Sequence, residues 1–178
     1  MVSGATRVCF IVGQPVDKAR TPALFNGWAE RTGHDAVMVG AAIGAEGLPD
    51  LFAMLRRLEN GIGAVVTYPH KQAAFALLDE ADAAARFNQA CNVVRRTAEG
   101  RLVGTMTDGM GCVRAMMTHG AALERGDMLL IGAGGAGSAI AHEAARRGVA
   151  RLVVVDLDIR RRDELCARLS SEFPALSL

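Results

Sequence analysis

Three short polar clusters, one further asparagine and a glycine-dense turn hold the residues of this chain that could do chemistry. The clusters are Arg20-Thr21-Pro22, Thr67-Tyr68-Pro69-His70-Lys71 and Thr107-Asp108-Gly109, and Asn92 adds a fourth polar group. Each stands at or near the end of a β-rich run, where ligands of parallel sheets collect. A lysine working with an aspartate can exchange a proton with a hydroxyl while a nicotinamide takes or returns a hydride at the same carbon. Taken singly, Lys71 reads as a solvated surface lysine and Asp108 as the cap of the helix that follows it.

The glycine-dense turn runs Gly132-Ala133-Gly134-Gly135-Ala136-Gly137 and places Gly132, Gly134 and Gly137 at the G-x-G-x-x-G spacing. The first glycine permits a tight turn, the second lets the backbone approach a pyrophosphate, and the third lets a helix pack closely on its strand. Chance produces this pattern in glycine-rich and alanine-rich chains, so its context decides. Residues 128–131 form a short apolar strand before it, a helix starts near Gly135, and a second strand at 152–155 ends in Asp156. A helix begun there aims unpaired N–H groups and a positive dipole end at a phosphate. Asp156 can accept both hydrogens of a ribose diol. The spacing is that of a dinucleotide-binding βαβ unit.

The elements that must position these residues follow from periodicity and punctuation. Strands are expected at 7–12, 35–39 and 63–67, helices at 22–32, closed by Gly33, and 48–58. A helix is expected over 75–87, a hairpin of 90–95 with 102–105 around Glu99-Gly100, and a helix over 110–119 ended by Gly120. The βαβ unit then begins at 128, and a last helix covers about 160–170. Alternating strands and helices predict an α/β fold with a mostly parallel sheet. The division expected is a substrate-binding domain, 1–106, and a partial Rossmann domain, 107–178. Two strands with two helices leave a sheet edge and an apolar face open. Either the chain is part of a longer one, or a partner, a second copy among them, covers that surface.

Composition narrows the function classes. Over 178 residues, 51% are hydrophobic and only 4% aromatic, so Ala, Val, Leu and Met must fill the core, which suits helices layered on a parallel sheet. A net charge of +1, with the two signs interspersed, offers no field for nucleic acid or anionic membrane. Arg160-Arg161-Arg162 is the one strong basic cluster and reads as a solvated helix face. No segment approaches the ~20 apolar residues of a membrane span, and the amino terminus shows no charged segment, apolar core and cleavage site in sequence, so a cytoplasmic location is expected. The four cysteines, Cys9, Cys91, Cys112 and Cys166, form no C-x-x-C pair and read as small buried hydrophobes. The histidines show no metal-ligand spacing, so no metal site is expected.

As a set, the motifs resemble the shikimate dehydrogenase family. The residues that carry the resemblance are Val12-Gly13-Gln14-Pro15, Thr21-Pro22, Thr67-Tyr68-Pro69-His70-Lys71, Ala90-Cys91-Asn92, Gly104 with Thr107-Asp108-Gly109, and the glycine turn from Gly132 to Ala136, all in the family's order. The resemblance covers nearly the whole chain. It implies a reversible, nicotinamide-dependent oxidation of a ring hydroxyl on shikimate, quinate or a related cyclic hydroxy acid, in a cleft between the domains. It also implies Lys71 as the acid/base and Asp108 as its orienting partner, with Thr21, Thr67 and Asn92 binding substrate. Asp156 and Leu157 stand where NADP-using relatives typically carry asparagine and arginine, so NAD is expected over NADP.

This chain departs from the family pattern at Ala19, where a serine usually grips the substrate carboxylate, and at Val65, Met106 and Gln89. Two other readings compete. A non-catalytic sensor could use the same cleft, and an unrelated nucleotide-binding module would share only the glycine turn. Retention of Lys71 and Asp108 in their motif contexts speaks against both, because neither needs a proton shuttle.

Overall fold

A computed structural model describes residues 2–178, which fall into two compact units, one of residues up to Ala85 with Gln89–Thr105, the other of Arg86–Asn88 with Met106–Leu178. In the first, β1 (Arg7–Gly13), β2 (Ala36–Ala42) and β3 (Gly61–Val66) are linked through helices α1 (Thr21–Thr32) and α2 (Leu48–Arg57). Short elements follow: α3 (Lys71–Phe75), β4 (Glu80–Ala81), α4 (Ala83–Asn88), β5 (Val93–Arg96) and β6 (Leu102–Thr105). The strands make one mixed sheet in the order β2-β1-β3-β5-β6-β4. β1 pairs in parallel with both β2 and β3, while β5 runs antiparallel to β3 and β6. The fold is α/β, as its alternating pattern requires.

Local chemistry accounts for most of these boundaries. Pro22 sits in the first turn of α1, where its missing N–H costs nothing. Gly33, at φ 70°, closes that helix, its amide donating to the carbonyls of Ala29 and Glu30, in the left-handed cap glycine adopts without strain. In α2, Leu48, Phe52 and Leu55 are buried on one face, the helical spacing that makes an amphipathic stripe.

The single helix expected over 75–87 is not formed. Its place is taken by α3, a turn, the two residues of β4 and α4. The sheet wins over helix propensity here because β4 pairs in parallel with β6, Glu80 opposite Val103 and Ala81 opposite Gly104. The amides of Asp79 and Asp82 donate to the carbonyls of Leu102 and Gly104 at 2.9 and 3.1 Å. The Asp82 carboxylate then starts a new helix, accepting the Ala85 amide at 2.7 Å and the Thr105 hydroxyl.

The second unit contains α5 (Asp108–Thr118), β7 (Asp127–Ile131), α6 (Gly135–Arg146), β8 (Arg151–Val155) and α7 (Ile159–Glu172). β7 and β8 are parallel, with Met128 opposite Leu152 and Ile131 opposite Val155. Val113, Leu130, Ala141, Ala144, Leu152, Leu165 and Leu169 make its core, and Phe87 joins them, which is why 86–88 belong with this unit. Phe87 lies against the buried His142 ring at 4.6 Å between centroids. Gly109 approaches α6 so closely that a Cβ there would stand 2.0 Å from the Ala139 carbonyl oxygen.

Strand alternation leaves the other sheet face uncovered: Leu129, Ile131, Val153 and Val155 are 47 to 78% exposed. Ser177 bonds along β8, accepting the Leu152 amide at 2.8 Å and donating to Ala150 at 2.9 Å, while the outer edge of β7 has no strand beside it among the described residues. The open edge and apolar face expected from the sequence are therefore both present.

The cysteine expectation needs correcting. Cys9 and Cys91 are buried, and desolvation pushes their thiols up to about 11 and about 12. Cys112 is exposed and Cys166 half-buried, because an α-helix turns about 100° per residue and Val113, not Cys112, faces the core.

Asp82→Ala should lower stability by about 1–2 kcal/mol, as loss of a helix cap generally does, while Asp82→Asn should recover most of it. Denaturant titration of the three proteins checks this, and an unchanged midpoint for Asp82→Ala would show that the cap does not hold α4.

Candidate functional site

At the carboxyl ends of β1 and β3, backbone bonds bring together the polar residues of the first unit. Thr67 follows β3 directly, its amide donating to the Val12 carbonyl at 2.9 Å, and the Gln14 amide donates to Tyr68 at 3.1 Å. Only glycine fits at position 13, where a Cβ would fall 2.3 Å from the Thr67 methyl and 3.0 Å from the Tyr68 carbonyl oxygen. His70 is buried beneath this turn, 1% exposed, and its Nε2 bonds the Ile43 carbonyl at 2.8 Å. With the carbonyl as acceptor, that nitrogen carries the proton.

Lys71 opens α3 and is half-buried, and its carbonyl accepts the Cys91 amide at 3.0 Å. Next in the chain is buried Asn92, whose amide donates to Thr105 at 3.1 Å and whose carbonyl accepts the Val66 amide at 2.8 Å. Thr67, Lys71 and Asn92 thus share one end of the sheet through main-chain bonds. Thr21 is the first residue of α1, reached by the loop that leaves β1 at that same end. Ala19, in that loop, packs against the cluster of Cys9, Ile11 and Met38. The structural role of His70 was not legible in the sequence, since a motif histidine beside a lysine gives no sign that it faces inward. Asp108, in the second unit, occupies the first turn of α5.

The glycine turn of the second unit meets the steric demands of its spacing. Gly132 has φ 100°, in the left-handed region that glycine tolerates, and its amide donates to Val155 at 2.7 Å. At Gly137 a Cβ would stand 1.8 Å from the Gly132 carbonyl oxygen, so the third glycine is required for α6 to meet the strand. Apart from the adjoining residues and the backbone of α6 itself, no protein atom lies within 4 Å of a Cβ built at Gly134 or Gly135. Nothing inside the fold demands glycine at those two positions, which suits a backbone kept bare for a ligand. Gly134 caps α6 with no side-chain bond, so the first-turn amides of a 12-residue helix face outward with Ala133, Gly135 and Ala136 around them.

Asp156 stands at the end of β8, and the structure adds to its expected role. One carboxylate oxygen accepts the Ala133 amide at 2.6 Å and the other the Asp158 amide at 2.7 Å. The Ala133 bond, then the Asp158 bond, hold this carboxyl below the usual carboxylate range, with the Arg161 charge contributing. The acid is therefore already anchored to the glycine turn, and each oxygen keeps one further acceptor direction for a ribose hydroxyl. These residues fit a dinucleotide, whose nicotinamide would accept or return a hydride. Among the described residues no group of three or more His, Cys, Asp or Glu is placed to hold a metal.

The two kinds of glycine separate by measurement. Gly137→Ala should destabilise the protein by about 1–3 kcal/mol, the usual cost of forcing atoms into packed space. Gly134→Ala should leave thermal stability nearly unchanged and weaken dinucleotide binding in a direct titration. A stable Gly137→Ala protein, or undiminished binding by Gly134→Ala, would contradict the assignment.

Known proteins share this fold and much of this sequence. Residues 11–94 match the model of the shikimate dehydrogenase substrate-binding domain. A shikimate dehydrogenase (NADP(+)) of Geobacter metallireducens is 36% identical over 173 residues, 97% of this chain and 60% of that protein. The crystal structure of shikimate 5-dehydrogenase from Listeria monocytogenes, in complex with shikimate and NAD, superposes with a TM-score of 0.94 at 26% identity, over 99% of this chain and 62% of that one. Quinate dehydrogenase from Corynebacterium glutamicum, in complex with NAD, gives 0.84 at 30% identity, over 96% of this chain and 63% of that one. The chain spans 50 to 62% of the length of the curated relatives it matches. With its substrate-domain match, its ordered motifs and a shared fold, the chain is similar to the shikimate dehydrogenase family over nearly its whole length.

Proposed function

We propose that this chain provides the substrate-binding and cofactor-binding residues of an NAD-dependent oxidoreductase acting on a ring hydroxyl of shikimate, quinate or a related cyclic hydroxy acid. The observation that carries this reading is the main-chain bonding that gathers Thr67, Lys71 and Asn92 at one sheet end, in a chain that also holds an intact glycine turn with its anchored acid. Lys71 exchanges the proton of the reacting hydroxyl, and Asp108 orients it, a role that rests on the family resemblance. Asn92 and Thr67 bind substrate hydroxyls, and Thr21 donates to the carboxylate. Hydrogen bonds to a charged acceptor are worth roughly 1.5–3 kcal/mol. Ala19 cannot supply the second such bond that a serine would, so shikimate should bind less tightly than a two-donor site would hold it, and an acid of somewhat different shape can remain a good substrate.

NAD is the cofactor this reading favours, although curated relatives such as the Geobacter enzyme are named for NADP(+). The support is local. Asp156 presents a carboxylate where a 2′-phosphate would sit, and Leu157 beside it is fully exposed and apolar, so neither residue can clamp a phosphate. The Listeria and Corynebacterium relatives were crystallised with NAD.

NAD should bind at least tenfold more tightly than NADP, a difference of ~1.4 kcal/mol, and equal or tighter NADP binding in a direct titration would overturn the preference. NAD reduction followed by absorbance with shikimate and quinate identifies the substrate. Lys71→Ala should lower kcat by roughly 100-fold or more while leaving NAD affinity unchanged, because the glycine turn lies elsewhere in the chain. Normal turnover by Lys71→Ala would remove its proposed role.

A further inference from the structure

The basic cluster after β8 is not uniformly free to meet an anion. Arg162 is engaged by its neighbour Asp163, its Nη2 at 2.7 Å and its Nε at 2.8 Å from one carboxylate oxygen. Arg161 is drawn to Asp158, the N-cap of α7. Its backbone N–H donates to the Asp158 carboxylate at 3.2 Å, and its guanidinium Nη2 lies 3.7 Å from the other oxygen. Asp158 is in turn fastened to the strand end, since its own amide donates to Asp156. The turn Asp156-Leu157-Asp158 thus collects two carboxylates and one guanidinium at the place where an adenosine ribose would be held.

We propose that Asp158 is a positioning residue for cofactor choice: by pairing with Arg161 it withholds that arginine from a 2′-phosphate. This rests on the dinucleotide site proposed above and adds a second acid to its selectivity. A phosphomonoester needs an unpaired guanidinium, preferably two-pronged, and here the guanidinium already has a carboxylate partner. The chain therefore rejects NADP through three coupled features: the Asp156 carboxylate, the apolar Leu157, and an arginine occupied by Asp158. Both members of the pair are about half exposed, 56% for Arg161 and 49% for Asp158, so the restraint is a modest one and its removal should shift selectivity without inverting it.

The test uses direct titration of NAD and NADP. Asp158→Ser and Asp158→Asn both keep an acceptor for the Arg161 amide, and so the helix cap, while removing the charge. Each should raise affinity for NADP relative to NAD by about fivefold to tenfold, with NAD affinity and melting temperature close to the parent's. Adding Arg161→Ala to either should erase the gain, whereas adding Arg160→Ala should not. An unchanged NADP to NAD ratio in both capping variants, or a gain that survives loss of Arg161, overturns the proposal and leaves the NAD reading standing. A parent that prefers NADP, or binds neither dinucleotide, brings down both.

Discussion

The hydrogen bond from the Cys91 amide to the Lys71 carbonyl is the tie on which the functional end of the first unit depends. Cys91 is fully buried, so its amide has no water to turn to, and leaving such a donor unpaired costs about 1–3 kcal/mol. The bond sets the start of α3 beside the segment leading into β5, which places the lysine and Asn92 on adjacent stretches of chain. Around it, the Thr67 amide bonded to Val12 and the His70 ring bonded to Ile43 fix the same turn from two other sides. The side chains assigned to substrate are thus carried on a backbone whose peptide groups are used up in holding position, the arrangement precise chemistry requires.

In the second unit a contact plays the equivalent part. Because Gly137 has no Cβ, the start of α6 can rest against the Gly132 carbonyl, and this approach turns the first helical amides toward the end of β7. Asp156 completes the arrangement by accepting the Ala133 amide, so the acid and the glycine turn are one hydrogen-bonded piece. The opposite face of this small sheet, with Leu129, Ile131, Val153 and Val155 open, takes no part in that geometry. Exposed apolar patches of this kind mark surfaces that other protein covers.

Charge decides what the strand end selects. Two aspartates within three residues, Asp156 and Asp158, share backbone and ionic bonds with each other and with Arg161, and the proposed preference for NAD rests on that arrangement. The fold is shared along nearly the whole chain, whereas the proposed cofactor choice rests on three residues.

Much of this was legible in the sequence because it depends on local rules. The glycine spacing, Pro22 and Gly33 at the ends of α1, the hairpin around Gly100 and the acid after β8 all follow from backbone sterics and periodicity within a few residues. Other features needed the tertiary structure because they are set by partners far along the chain. The helix expected over 75–87 is broken by pairing of Glu80–Ala81 with Val103 and Gly104, more than 20 residues away. Phe87 serves the second unit's core, and Cys112 faces outward because Val113 takes the inward position. That Asp156 is bonded to the glycine turn and Arg161 to Asp158 could not be read from residue types, since an aspartate at a strand end and an arginine on a helix look the same whether bound or free. Sequence determined which groups are present and which turns can form, while only the fold decided which of those groups are already occupied.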